Sequence, residues 1–262
     1  MKIRLITFTD YKMTRAADVC RRSALQNNID EVKVYTPEDI HKSYKEKYSD
    51  ILDKPRGAGY WLWKPYFIYQ ELFNKNVADG DILVYCDAGV EIVNNIRHII
   101  DRMDQDIFLF ANTYNHYHWC KMDVIKAIVK KGVQEKITNQ VQASVIVMKV
   151  SDASREFVKE WARWCEKPGF ITDEPSSIPN HPEFKEHRHD QAILTCVAYQ
   201  AGIKLHWWPA MYNAGIFTYE HNGYDDSYPV IFHHHRIRDD QFLMPLGINR
   251  TIINYFRQKR YI

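Results

Sequence analysis

The segment from Ala143 to Val150 constrains the fold most, because it is almost continuously apolar over the length of one strand. A strand with one wet face alternates polar and apolar residues, whereas a run apolar at successive positions buries both faces inside a covered sheet. Ile107 to Phe110 and Asp81 to Cys86 read the same way, and Lys2 to Phe8, Val32 to Tyr35 and Ile203 to Trp208 supply further short strands. Between them lie helical patterns. Thr14 stands at an N-cap position before Ala17, Cys20 and Ala24, and Pro65 suits the first turn of a helix with Phe67, Ile68, Leu72 and Phe73 on one face. Val124 to Val129 reads as helix, Phe157, Trp161 and Cys165 recur at four-residue spacing, and Ile193 to Ala201 is closed by Gly202. Alternating strands and helices predict an α/β fold with a mixed, mostly parallel sheet flanked by helices. The segment from Pro168 to Pro182, with four prolines, is expected to be a loop, and residues 1–262 are expected to form one domain with an irregular C-terminal part.

Charge and cysteine usage narrow the function. With 35 Lys and Arg against 33 Asp and Glu, the chain has too balanced a charge for general nucleic-acid binding, which neutralises many phosphates. Five dispersed cysteines without a C-x-x-C pair suggest reduced thiols rather than a disulfide framework. The polar N-terminus does not read as a secretory signal, and no run approaches the roughly 20 apolar residues that span a bilayer. A cytoplasmic protein with at most peripheral membrane contact is expected.

Four constellations carry chemistry. In Asp79 to Glu91 a turn and a buried strand deliver Asp87 at the strand's C-terminal end, the edge at which open α/β sheets bind ligands. Capping of the Ala88-Gly89 turn would also account for Asp87. In Arg56-Gly-Ala-Gly-Tyr-Trp-Leu-Trp-Lys64-Pro65 two cations flank a glycine turn and a helix start, a place that suits an anion. The alternative is a packed turn with two solvated cations. Glu186-His-Arg-His-Asp190-Gln191 precedes an apolar helix, where Asp190 either caps the helix or, with Gln191, faces a polar ligand. His233-His-His235-Arg236-Ile-Arg238 combines imidazoles that bind metals with guanidiniums that bind phosphate, and in an extended chain His233 and His235 would face one way and His234 the other.

Taken in order, Ile3 to Asp10, Tyr85-Cys-Asp87-Ala-Gly89, His189-Asp-Gln191 and His233 to His235 resemble the GT-A nucleotide-sugar glycosyltransferases, with a layout most like the family-8 type that includes bacterial lipopolysaccharide galactosyltransferases and glycogenin. The resemblance implies a Rossmann-like nucleotide-diphospho-sugar transferase fold. Its nucleotide-binding half would cover about 1–110 and its acceptor-binding half about 111–262. It implies that Phe8, Thr9, Asp10 and Tyr11 hold the nucleoside, and that Asp87, with Ala88 beside it, lies at the diphosphate. Asp190 and Gln191 would lie at the donor sugar as the catalytic pair. Mn²⁺ or Mg²⁺ would be held by Asp87 with late histidines, His233 and His235. Gly89 stands where a second metal carboxylate is expected, so Glu91 is a substitute ligand, or Arg56, Lys64, Arg236 and Arg238 neutralise the diphosphate.

A nucleoside diphosphate gathers negative charge as it leaves a sugar, so the reaction needs cations where that charge develops. The expected activity is hexose transfer from a nucleotide sugar, with UDP as the expected nucleotide, to a saccharide or lipid-linked glycan in surface polysaccharide synthesis. Asn112 to Trp119, Ser176 to Pro182 and Tyr212 to Tyr224 would form the acceptor rim, and basic residues from Arg250 to Arg260 would touch anionic lipid. The alternatives are a metal-dependent hydrolase or nucleotidyltransferase and a non-catalytic glycan-binding protein on the same fold.

Overall fold

The computed structural model describes residues 1–212 and 228–235. The main sheet runs β2 (Glu31–Tyr35), β1 (Ile3–Phe8), β3 (Ile82–Cys86), β7 (Val145–Lys149), β5 (Ile107–Asn115) and β6 (Asn139–Val141), with β8 (Leu205–Trp207) also paired to β5. β2, β1 and β3 pair in parallel, β7 and β6 run against their neighbours, and β8 is parallel to β5. Five of the seven strands therefore share one direction. β4 (Val90–Ile92), β10 (Phe232–His234) and β9 (Ala210–Tyr212) form a second sheet in that order.

The apolar runs are continuous because each strand feeds two cores. On β3, Leu83 and Tyr85 pack to one side and Ile82, Val84 and Cys86 to the other; on β5, Ile107 and Leu109 oppose Phe108 and Phe110. The period of two thus splits one run between two buried layers. The first layer holds α2 (Trp63–Leu72), α3 (Met122–Ile128), α4 (Asp152–Cys165) and α5 (His189–Gln200). The second holds α1 (Thr14–Gln26) and the small sheet. Each fully buried Leu, Val, Ile or Phe is worth roughly 1.5–3 kcal/mol relative to exposure, which is why neither face can be left wet.

Three local expectations change. Thr14 is the first residue of α1 rather than its cap: Met13 holds the cap position, and the Thr14 hydroxyl donates to the Tyr11 carbonyl at 3.3 Å. The proline-rich stretch begins with a short helix, Pro168–Ile171, because proline's fixed φ suits a first helical turn. β5 extends to Asn115, beyond the apolar run that announced it. Among the described residues no helix is long and apolar enough to cross a membrane. Arg236, Arg238 and the basic segment from Arg250 to Arg260 lie outside the described residues, as does most of Tyr212 to Tyr224.

Candidate active site

A cleft of about 190 Å³ opens at the C-terminal ends of β1 and β3. Phe8 and Asp10 from the end of β1, Tyr85 and Asp87 from β3, and Trp61 and His234 from more distant segments line it. The edge follows from topology: parallel β1 and β3 end together, so the loops after them face each other. Gly57, Ala58 and Gly89 bring backbone to the wall. Ala58, Tyr60 and Trp61 all adopt positive φ, a tight left-handed passage that turns the Trp61 ring towards His189, with ring centres 5.4 Å apart. Trp63 stacks on Phe8 at 3.8 Å and fixes the floor.

Behind Asp87, which lines this cleft, one buried cation serves two carboxylates. Lys64, in the first turn of α2, is only 3% exposed; its Nζ lies 2.9 Å from Asp190 Oδ2 and 3.3 Å from Asp87 Oδ1 and donates to the Ala143 carbonyl at 3.2 Å. The Tyr85 hydroxyl donates to Asp87 Oδ1 at 2.5 Å, and the Asp87 backbone N–H donates to the Ser144 carbonyl at 2.8 Å. Tyr85 and Asp87 can meet because residues two apart along a strand share a face. Burial opposes the charge on Lys64, yet Asp190 and Asp87 outweigh it and raise its pKa. Burial also pushes Asp87 upward, and Lys64 with the Tyr85 hydroxyl more than reverses this, holding it below the usual carboxylate range. Asp190 differs. Burial raises it to about 6 against the opposing pull of Lys64. The shared ammonium thus leaves Asp87 more readily ionised than the deeper Asp190.

The two acids differ in access as well. The Asp87 side chain is 32% exposed and reaches the cleft, whereas that of Asp190 is 5% exposed and lies behind Lys64. Asp190 is anchored by its carbonyl, which accepts from the Trp161 indole at 3.0 Å. The Gln191 amide donates to Gln140 at 2.8 Å and its oxygen accepts from the Ala143 N–H at 3.3 Å, so Gln191 ties α5 to the β6–β7 turn. Neither residue caps α5, which starts at His189 after Arg188.

The other expected residues divide. Phe8 and Asp10 line the cleft, with Ala88 on its wall; Thr9 is buried, its N–H donating to the Tyr35 carbonyl at 2.9 Å; Tyr11 is largely exposed. Arg56, expected at the diphosphate, instead pairs with Asp173 at 2.8 Å and Glu186 at 3.3 Å, because the glycine turn sends it away from Lys64. The histidine expectation is revised by strand alternation. His233 lies opposite Glu91 across β4 and β10, its Nδ1 3.2 Å from that carboxylate, and His235 lies beside His233 with ring centres 5.8 Å apart. His234 is the member of the triplet that lines the cleft with Asp87. Glu91 is accordingly a partner of His233 rather than a replacement for the carboxylate absent at Gly89. Tyr85, Trp61 and Trp63 are parts of the site that motif reading passed over, although the spacing of Tyr85 and Asp87 on one strand pointed to the first of them.

The oxygen and imidazole donors of Asp87 and His234 suit an ion such as Mn²⁺, but they are two protein ligands, with Lys64 already beside Asp87. Among the described residues, groups of three close metal-binding side chains occur elsewhere: His116, Cys120 and Cys196, and His118, His181 and Glu183.

No protein-family model and no curated protein matches the chain. Solved structures do. The galactosyltransferase LgtC, in complex with donor and acceptor sugar analogues, is 14% identical with a TM-score of 0.50, covering 97% of this chain and 96% of LgtC. The bifunctional glycosyltransferase WbbM, in its apo structure, is 11% identical with a TM-score of 0.50, covering 89% of this chain and 45% of WbbM. The fold is that of the GT-A glycosyltransferases, resembling the family-8 type.

Proposed function

We propose that the chain is a glycosyltransferase that moves a hexose from a nucleotide sugar, UDP-linked, to a saccharide or lipid-linked glycan in surface polysaccharide synthesis. The observation that carries this reading is Lys64 held between Asp87 and Asp190 behind a cleft where parallel strands end. A fixed cation in a water-poor site stabilises charge as it develops far better than a solvated one. Lys64 gives its three N–H groups to Asp87, Asp190 and the Ala143 carbonyl, so it orients these acids, and the charge at the diphosphate end would come from a divalent ion on Asp87 and His234. Asp190 and Gln191 act at the sugar end by positioning: Asp190 sets Lys64 from behind, and Gln191 locks the start of α5 against Ala143. The rings of Phe8 and Trp61 present flat apolar faces to the nucleoside or sugar.

Mn²⁺ or Mg²⁺ belongs to the same proposal, with Asp87 and His234 as its protein ligands and diphosphate oxygens as the others. Bound there, it would add Lewis-acid stabilisation of the leaving diphosphate. The nucleotide-binding half of the chain, about 1–110, supplies Asp87 and Lys64, and the half from about 111 onward supplies Asp190 and His234. The residues from Asn112 to Trp119 are assigned to the acceptor side, and the protein works at the cytoplasmic face.

Calorimetric titration with UDP, other nucleoside diphosphates and UDP-hexoses, each with Mn²⁺ and with chelator, tests the reading. UDP binding strengthened by Mn²⁺ and weakened at least ~10-fold in Asp87→Ala is expected, since loss of a ligand or charged partner costs on the order of a kcal/mol or more. Silence towards every nucleotide would leave the fold as a glycan-binding scaffold.

A further inference from the structure

Away from the cleft, three metal-binding side chains meet in the core. His116 follows β5 in a short 3₁₀ turn, Cys120 lies four residues later, and Cys196 is on α5, six residues beyond Asp190. Their relative exposures are 0%, 1% and 0%. His116 Nε2 lies 3.3 Å from Cys196 Sγ, the two sulfurs are 4.0 Å apart, and one ligand atom from each residue falls within 4.8 Å of the others. His116 Nδ1 is buried without a hydrogen-bond partner. It is Nε2, beside thiol sulfur as a weak partner, that calls for a compensating interaction, since buried polar groups are as a rule well paired; Nδ1 stays outside the ligand set.

We propose that His116, Cys120 and Cys196 form a structural zinc site. Around tetrahedral zinc, with Zn–S about 2.3 Å and Zn–N about 2.0 Å, two sulfurs stand about 3.8 Å apart and a sulfur and a nitrogen about 3.5 Å apart. The observed 4.0 and 3.3 Å lie close to these values, and His116 and Cys120, whose ligand atoms lie within 4.8 Å, would close the third side by side-chain rotation. Two thiolates, a neutral imidazole and Zn²⁺ sum to zero charge, which suits a site with no solvent. Two protons leave the thiols on binding, and no electrons are exchanged. The fourth position falls to an oxygen, and the Lys121 carbonyl already stands 3.5 Å from Cys120 Sγ. Zinc here would bolt the start of α5, and with it Asp190, to the segment after β5. This assignment stands independently of the nucleotide-sugar reading.

The test is elemental analysis of the whole protein, prepared with zinc and then treated briefly with EDTA. About one zinc per chain is expected, with less than about a tenth of that in Cys120→Ser and Cys196→Ser and full content in Asp87→Asn. Replacement by Co²⁺ should produce a thiolate-to-cobalt charge-transfer band that Cys196→Ser lacks. Should the serine variants fail to fold, the wild-type stoichiometry and cobalt spectrum still decide. No zinc uptake with all five thiols titratable, zinc retained equally in both serine variants, or a Cys120–Cys196 disulfide in freshly purified protein would each overturn the proposal.

Discussion

Arg56 and Lys64 sit at the two ends of one glycine turn and look equivalent in the sequence, yet the fold gives them opposite environments. The Arg56 side chain is 40% exposed and bridges Asp173 and Glu186 at the surface; that of Lys64 is 3% exposed and holds two acids and a carbonyl. The contrast shows that location, not charge, decides what a cation can do. Water screens the first pair, whereas the second has no alternative partner. The separation is built by the backbone between them, where Gly59 takes φ +93° and a side chain would meet the Leu52 backbone at 2.7 Å.

Substitutions at these points would sharpen or erase the contrast. Lys64→Met should be the most damaging, because Asp87 and Asp190 lose their shared cation; about 3–5 kcal/mol of stability should disappear in urea denaturation, together with sugar transfer. Asp190→Asn comes next, and its effect depends on pH. The folded pKa of about 6 exceeds the unfolded value of about 3.9, so the native state binds the extra proton between them. The stability contributed by that proton is complete below pH ~4 and is lost as pH rises through ~6, at a cost of roughly 3 kcal/mol. Buried His187, His189 and His235, whose pKa values are lowered, contribute the opposite slope in this range, so the Asp190 contribution is read as the difference: between pH 7 and 4 the parent should gain stability relative to Asp190→Asn in unfolding curves. Gly59→Ala should cost about 1–2 kcal/mol from the left-handed backbone and the clash with Leu52, read as a fall in Tm. Arg56→Ala should be mildest, under ~1 kcal/mol, with nucleotide affinity by calorimetry unchanged within about twofold. An Arg56 effect as large as that of Lys64 would dissolve the distinction.

Much of the scaffold was legible from local pattern. The apolar runs at Asp81 to Cys86 and Ala143 to Val150 announced strands covered on both faces, and the two cores drawing on alternate residues of β3 and β5 are the physical reason. Asp87 at a strand end was legible for the same cause. What local pattern lacks is pairing between distant segments. That Lys64 reaches Asp190 depends on where α2 and α5 pack, and that His234 rather than His233 meets the cleft depends on the register Phe232 opposite Ile92. Motif reading grouped His233 and His235 with Asp87, and one residue of alternation moved His233 to Glu91 with His235 beside it. The buried trio was invisible because only His116 and Cys120 are near in sequence, and Cys196 joins them across 76 positions through packing.

The small sheet has a consequence for how the molecule is made. Of its three strands the central one, β10, comes last: β9 precedes it by a short stretch but β4 by far more, and His233 meets Glu91 across 142 positions. While a nascent chain is still emerging from the ribosome, β4 and β9 must wait with open hydrogen-bonding edges until Phe232–His234 threads between them. Among the described residues the wall bearing His234 is therefore the last to arrive, and a chain released before that point would carry the main sheet and half a mouth.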